Sequence, residues 1–156
     1  MQFLRAPFVL LNALLTILAC CPASAAPLIA GSYYEDSVGV NCSSTTSCKY
    51  WFSQLPSTQL LNLKRVNCSV SGMSQTPIAY KLSVAATSGG ASIGRNFYFR
   101  VGEIASSGGS YYGAINDELD VLVGSSRFPA IEVDFAVASP VFLVCTIIGD
   151  LQDPPS

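Results

Sequence analysis

The sequence predicts an all-β fold: a single β-sandwich of about eight antiparallel strands, stapled by disulfides. Apolar and polar side chains alternate along several runs of the chain, which is the period of a strand with one buried face. Segments rich in Gly, Ser and Pro separate these runs and favour turns. Beyond residue 25, no sustained 3.6-residue period indicates a helix. Jelly-roll-like and immunoglobulin-like topologies both suit this strand count.

The first 25 residues have the features of a signal peptide. Arg5 is the positive start, residues 8–18 are a short apolar run, and an Ala-Ser-Ala triplet ends at Ala25. We expect cleavage after Ala25. The remaining chain is then one β-sandwich domain at 26–149 and a flexible C-terminal tail at 150–156.

A second processing site competes with this one. The segment Ile17-Leu18-Ala19-Cys20 resembles the lipobox of bacterial lipoproteins, in which the protein is anchored through a lipidated Cys20. That cleavage would leave Cys21 as an unpaired thiol, whereas cleavage after Ala25 leaves four cysteines. The even number favours a secreted or periplasmic protein without a lipid anchor. No later run is long and apolar enough to predict a membrane span.

Strands are predicted at 46–54, 60–70, 80–86, 97–101, 110–116, 119–124, 131–137 and 141–148. The run 60–70 changes phase, because Leu61 and Leu63 fit one face whereas Val66 fits the other, and a β-bulge near Lys64-Arg65 would reconcile them.

The last two predicted strands differ in pattern. Residues 131–137 alternate cleanly, with Glu132 and Asp134 on the outward face. Residues 141–148 are apolar at nearly every position, which favours a central strand covered on both faces. A turn at Ser139-Pro140 would separate the two strands.

Four cysteines remain after the export segment, and they allow three pairings. Cys68 shares a strand face with Val66 and Val70, and Cys145 shares one with Leu143 and Ile147. We therefore expect Cys68 to pair with Cys145 across the core and Cys42 to pair with Cys48 around a small loop. Their spacing is neither that of a redox pair nor a convincing zinc half-site.

The amino-acid composition excludes several classes of function. The chain has no histidine, which excludes Ser-His-Asp and Cys-His mechanisms and histidine-bearing metal sites. Its formal net charge is −2 and only 12% of residues are charged, with no clustered basic face, so no nucleic-acid partner is expected. Nothing indicates a cofactor.

One acidic cluster stands out, comprising Asp117, Glu118 and Asp120. Its functional interpretations are a calcium site, because Ca²⁺ takes several oxygen ligands, or the carboxylate pair of a glycan hydrolase. The simpler interpretation is a solvated turn between two strands, and it is favoured because the spacing of a calcium-binding loop is missing.

Aromatic side chains are the other candidates for a site. Tyr98 lies on the polar phase of its strand, and Tyr111 and Tyr112 follow a glycine-rich loop. Tyrosine combines a flat apolar ring with a polar hydroxyl, so these three residues are a possible ligand platform. Trp51 is instead expected to pack in the core.

Part of the chain resembles small exported bacterial β-sandwich proteins of unassigned function. The likeness rests on Ser47-Cys48, Leu55-Pro56, the run 61–70 that contains Asn67-Cys68-Ser69, and Cys145-Thr146-Ile147-Ile148-Gly149. It covers about a third of the domain and is compatible with a bond between Cys68 and Cys145, but it implies no activity.

These observations favour a non-catalytic binding or surface-interaction module, whose partner could be a glycan or an envelope protein. The alternative is a structural subunit of a surface assembly, in which a donated strand completes a neighbour's sheet. A carboxylate-dependent glycan hydrolase comes third, because it would rely on the acidic cluster alone.

Overall fold

Every regular element in the described part of the chain is a β-strand. The computed structural model describes residues 26–94, 96–100, 102 and 104–155. The strands are β1 (Leu28–Ala30), β2 (Tyr33–Trp51), β3 (Leu60–Met73), β4 (Pro77–Ala85), β5 (Phe97–Phe99), β6 (Ile104–Ser107), β7 (Ser110–Val123) and β8 (Phe128–Gln152). All their pairings are antiparallel, which confirms the predicted fold class. The predicted signal peptide lies outside the described residues.

The two longest strands, β2 and β8, form a ribbon that organises the sheet. They pair from Tyr33 with Asp150 to Trp51 with Ala130. On its other edge, β8 pairs with β4 through its first half and with β3 through its second half. The remaining strands add outward: β7 beside β3, β6 beside β7, β5 beside β4 and β1 beside β2. The strands therefore form one continuous open sheet.

The ribbon folds back on itself. The backbone N–H of Ser53 donates a hydrogen bond to the carboxylate of Asp36 at 2.7 Å, although the two residues are 17 positions apart. An extended chain of that length would separate them by roughly 55 Å. The register between β2 and β8 shifts twice between Cys42 and Ser47, which locates the bend, here called the corner.

The corner divides the sheet into two layers that pack face to face. The first layer contains β1, residues 33–42 of β2, β3, β7, β6 and residues 141–152 of β8. The second contains residues 47–51 of β2, β4, β5 and residues 128–135 of β8. One hydrophobic core takes side chains from both layers, including Val66 and Leu143 from the first and Leu82 and Ile131 from the second. This is the packing of a sandwich.

A β-bulge occurs in β3 at the predicted place. Leu63 pairs with Gly149 and Arg65 pairs with Ile148, so Lys64 is the extra residue. A Cβ added at Gly149 would collide with the backbone oxygen of Asn62. Only glycine allows β8 to approach the bulge this closely.

Both disulfides form as predicted. Cys68 and Cys145 are direct register partners in β3 and β8, with Cα atoms 4.1 Å apart. Cys42 and Cys48 lie on either side of the corner, with Cα atoms 5.9 Å apart. The first bond joins two strands within the first layer, and the second ties one layer to the other.

The expected turn at Ser139-Pro140 is wrong, because β8 continues through it. Neither β3 nor β4 pairs with β8 between Ala136 and Val141, so the missing N–H of Pro140 breaks no ladder on that edge. The hydroxyl of Ser139 accepts a hydrogen bond from the backbone N–H of Ser74 at 2.9 Å, which holds the β3–β4 connection at the corner.

The expected two-sided burial of residues 141–148 is also wrong. Val141, Leu143, Cys145 and Ile147 are buried, but Phe142 and Val144 on the other face are 48% and 40% exposed. Residues 141–148 of β8 are therefore apolar on both faces of the strand, although only one of these faces is covered in the described part of the chain.

The sheet extends into the predicted tail. Strand β8 continues to Gln152, and the side chain of Leu151 is buried in the core. The backbone N–H of Leu151 donates to the carbonyl of Ser32, which joins the end of β8 to the turn between β1 and β2. None of the described residues forms a helix that could cross a membrane.

Candidate functional site

The three candidate tyrosines do not form one surface. Tyr98 is 69% exposed and pairs with Lys81, so it lies on the outer face of the second layer. Tyr112 is exposed on β7 in the first layer. Tyr111 alternates with it and packs against the core. Because the two layers turn their outer faces in opposite directions, Tyr98 and Tyr112 cannot contact one small ligand together.

The acidic cluster lies within β7, not in a turn between two strands. Strand alternation places Asp117 on the inward phase and the other two carboxylates on the outer face. Glu118 forms an ion pair with Arg65 at 3.0 Å, and Asp120 forms one with Lys64 at 2.7 Å. No three His, Cys, Asp or Glu side chains of the described residues lie together in a group that could hold a metal ion.

A groove of about 460 Å³ opens between the two layers, on the side formed by β7 and β5. Its apolar lining comes from Val84 and Phe97 of the second layer, Ile93 of the β4–β5 connection, and Val121, Leu122 and Val123 of β7. Asp120 and Arg127 supply charge. An apolar concave surface with a few polar groups is the usual character of a ligand site.

The groove follows the backbone edge of β7. Val121 and Val123 are buried on the inward phase, whereas Asp120 and Leu122 are exposed on the outer phase. All four line the groove. Successive side chains of a strand point to opposite faces of the sheet. A groove that is lined by inward and outward residues of β7 together must therefore run along the edge of this strand.

That edge of β7 is open along the groove. Strand β6 pairs only with residues 110–113 of β7. Residues 117–123 of β7 pair with β3 on one edge, and no other strand of the described residues pairs with them. Among the described residues, the second edge of this stretch therefore has no strand partner for its backbone N–H and C=O groups.

Electrostatics distinguish this edge from its surroundings. Residues 117–123 carry three carboxylates and no Lys or Arg. The hydrogen bond from Lys64 lowers the pKa of Asp120, with a smaller contribution from Asn62, so Asp120 is ionised at neutral pH. No ion pair joins Asp117 to any described residue.

The outer face of the second layer has a different arrangement of charge. Lys81 contacts Glu132 and Asp134, each at 3.0 Å, and Lys49 contacts Glu132 at 3.6 Å. These four side chains are mostly covered and neutralise one another. The Lys49 ammonium also lies 5.6 Å from the centre of the Trp51 ring, which is half-buried at the edge of the layer and not in the core. This face offers little unpaired charge to a partner.

One carboxylate lies inside the fold. Asp36 is almost fully buried on β2, and one of its oxygens has no hydrogen-bond partner among the described residues. Burial raises its pKa, although the backbone N–H of Ser53 opposes the rise. Burial beside Asp36 also raises the pKa of Tyr34. Asp36 connects the first layer to Ser53, which follows β2, and neither Asp36 nor Tyr34 lines the groove beside β7.

Of the residues that line the groove, only Asp120 belongs to a site predicted from the sequence. Ile93 and Phe97 are distant in sequence from Val121–Val123, and only the fold brings them to this part of β7. One local signal was present: residues 121–123 are all apolar, which breaks the alternation and places Leu122 on the outer face. Comparison of the chain with protein-family models, with curated proteins and with solved structures returned no match.

Proposed function

We propose that the protein is an exported, non-catalytic binding module that holds its ligand in the groove beside β7. The observation that carries the proposal is the meeting of three features in one place: an apolar cleft, an open strand edge and ionised Asp120. Exposed Leu122, at 59%, and Ile93, at 40%, give a ligand apolar area to cover.

Export is supported by the two disulfides, which are typical of oxidising compartments. The finer assignment, a secreted or periplasmic protein released after Ala25, rests on the signal-peptide pattern of the sequence. Anchoring through a lipidated Cys20 is the alternative. The resemblance to exported bacterial proteins agrees with either form.

A role without catalysis is supported by the chemistry of the side chains. The chain has no histidine, and the alternation of β7 separates Asp117 from Glu118 and Asp120. Two of these three carboxylates are held in ion pairs with cations of β3. The arrangement does not favour a hydrolase that uses the acidic cluster.

The second candidate function is a structural subunit that donates its N-terminal strand to a neighbour. Residues 28–30 instead pair with β2 of their own chain as β1. A donor strand would have to leave that pairing, so this observation favours the binding module. The observation that supports a structural subunit is that the apolar side chains of Leu28 and Ile29 are exposed.

The test is a binding screen on glycan and peptide arrays with the mature protein and two variants. Leu122→Asp places a charge in the groove, and Ile78→Asp is its matched control, because Ile78 is 63% exposed on the second layer and does not line the groove. Both positions are exposed, so both variants should fold with stability changes of about 0.5 kcal/mol or less.

The proposal expects Leu122→Asp to lose at least one binding signal that Ile78→Asp retains. Equal binding by the wild type and Leu122→Asp across every array would exclude the groove as the ligand site. The alanine variant of Tyr98 extends the test to the platform hypothesis, since a glycan signal that needs this ring would place binding on the second layer's outer face.

A further inference from the structure

We propose that the groove accepts an extended polypeptide segment with alternating apolar and basic side chains, which adds as a strand to the open edge of β7. This inference rests on the proposed binding function and specifies the class of its ligand. Strand addition uses backbone hydrogen bonds for affinity and pockets for alternate side chains for specificity. The edge of β7 provides the backbone hydrogen-bonding groups, and the groove beside it provides the pocket for side chains.

The backbone of β7 supplies the first requirement. Residues 117–118 and 121–123 are paired with β3 on their other edge, and a register shift places Leu119 and Asp120 opposite Lys64 alone. A guest strand would have to follow this bulge. Strand β6 pairs with the preceding residues 110–113 on the same edge that the guest would use. The chain that precedes β6 stays beside β7, because a Cβ added at Gly102 would lie 2.7 Å from the backbone oxygen of Ala114. A guest strand would therefore pair beyond that point, with residues 117–123.

The lining of the groove supplies the second requirement. Side chains of the guest that point inward would contact Val84 and Phe97 of the second layer, and neighbouring Ile93 would cover them. These groups are apolar, so the inward positions of the guest should be apolar too. Successive residues of a strand point to opposite faces, so its other positions would lie beside the outer side chains of β7.

The charge of the edge identifies the guest's outer residues. Glu118 and Asp120 are about 80% exposed on the outer face, and Asp117 has no cationic partner in the described residues. Opposite charges on neighbouring strands attract, and like charges repel. Lys or Arg at the outer positions of the guest would give Glu118 and Asp120 a second cation beside Arg65 and Lys64, which already pair with them from β3. Asp or Glu at those positions would face like charge.

The same charges argue against a second copy of β7 as the guest. Antiparallel pairing of two β7 edges would bring the carboxylates of both copies onto adjacent strands. Charged residues on an edge strand are a common protection against such pairing. The acidic edge thus excludes its own copy while it remains attractive to a basic segment of another chain.

The probe is a synthetic peptide of about seven residues, Val-Lys-Val-Lys-Val-Lys-Val, which matches the length of the open edge. Its affinity for the mature protein is compared with that of a peptide in which Glu replaces Lys, and with that of the Lys peptide methylated at alternate backbone nitrogens. Methylation removes the N–H groups that a strand donates and leaves the side chains unchanged.

The protein variant for this test carries Asp117→Asn, Glu118→Gln and Asp120→Asn. The control carries Glu132→Gln and Asp134→Asn, which alter carboxylates on the outer face of the second layer. We expect the Lys peptide to bind about tenfold more weakly to the first variant, since several cross-strand charge pairs are lost. Affinity for the control should be unchanged, and thermal unfolding verifies that both variants are folded.

The outcomes separate this inference from the proposed function. Equal affinities for the Lys and Glu peptides, undiminished binding of the methylated peptide, or dimerisation of the protein through β7 would each overturn strand addition by a basic segment. Glycan binding that Leu122→Asp abolishes, without peptide binding, would retain the groove as a site and reject this ligand. Insensitivity of every ligand to Leu122→Asp would reject both.

Discussion

On one lateral side of the sandwich a single strand, β2, belongs to both layers, whereas on the other side the layers end in different strands, β5 and β6, which are consecutive in the chain. The closed side is formed by β2, which passes through the corner, where Cys42 and Cys48 join the layers. The open side is formed by β7 and β6 in the first layer and β5 in the second, with the groove between them.

We infer from this difference that the closed side stabilises the fold and that the open side recognises the ligand. On the closed side, a disulfide and the bond from Ser53 to Asp36 connect the layers directly. On the open side, apolar side chains such as Phe97 and Val123 line a cleft, and residues 117–123 of β7 have one edge without a strand partner among the described residues. A sheet that folds through one ribbon is closed along that ribbon, and its free edges meet at the opposite side.

The largest expected effect comes from removing a disulfide. Replacing Cys68 and Cys145 with Ala should lower the free energy of unfolding by roughly 4 to 5 kcal/mol, because the bond closes a loop across a sequence separation of 77 residues. Urea unfolding of the double variant and the wild type measures the change.

The corner disulfide is the internal comparison for that prediction. It spans a separation of 6 residues, so replacing Cys42 and Cys48 with Ala should cost only about 2 to 2.5 kcal/mol. Neither double variant should change binding at the groove if it remains folded. A larger loss from the corner bond would show that tying the layers together matters more than the entropy of the unfolded chain.

A smaller effect concerns the buried carboxylate of the closed side. Burial raises the pKa of Asp36 above 3.8, so the folded protein binds its proton more tightly than the unfolded chain does. The contribution of Asp36 to stability is therefore present below pH 3.8 and is lost as pH rises through the pKa of the folded state.

The Asp36→Asn variant tests this sign, because an amide does not titrate. The free energy of unfolding of the variant, relative to the wild type, should increase between about pH 4 and about pH 7. Chemical unfolding at several pH values measures this difference. A constant difference across that range would contradict a raised pKa for Asp36.

The sequence predicted the features that depend on local pattern. Alternation located the strand at Ile131–Val137, a change of phase located the bulge at Lys64, and the facing of Cys68 and Cys145 indicated their pairing. Each of these can be recognised within one run of residues, because a strand's side-chain period is fixed.

Features that depend on distant pairing were not predicted. The corner arises because Ser53 returns to Asp36, and Pro140 stays within β8 because β2 pairs beside it while β3 and β4 do not. The groove likewise needs Phe97 to lie opposite Val123. No local pattern encodes these contacts, so the acidic cluster of β7 was expected in a turn and not on an open edge.

The measurement that most directly tests the central claim is hydrogen exchange of the mature protein with and without the Val-Lys peptide. Strand addition predicts that the peptide slows exchange at alternate amides of Asp117–Val123 and leaves residues 33–38 of β2, on the closed side, unchanged. Binding of the peptide without slower exchange in β7, or with protection on β2 instead, would contradict the assignment of the open side as the binding site.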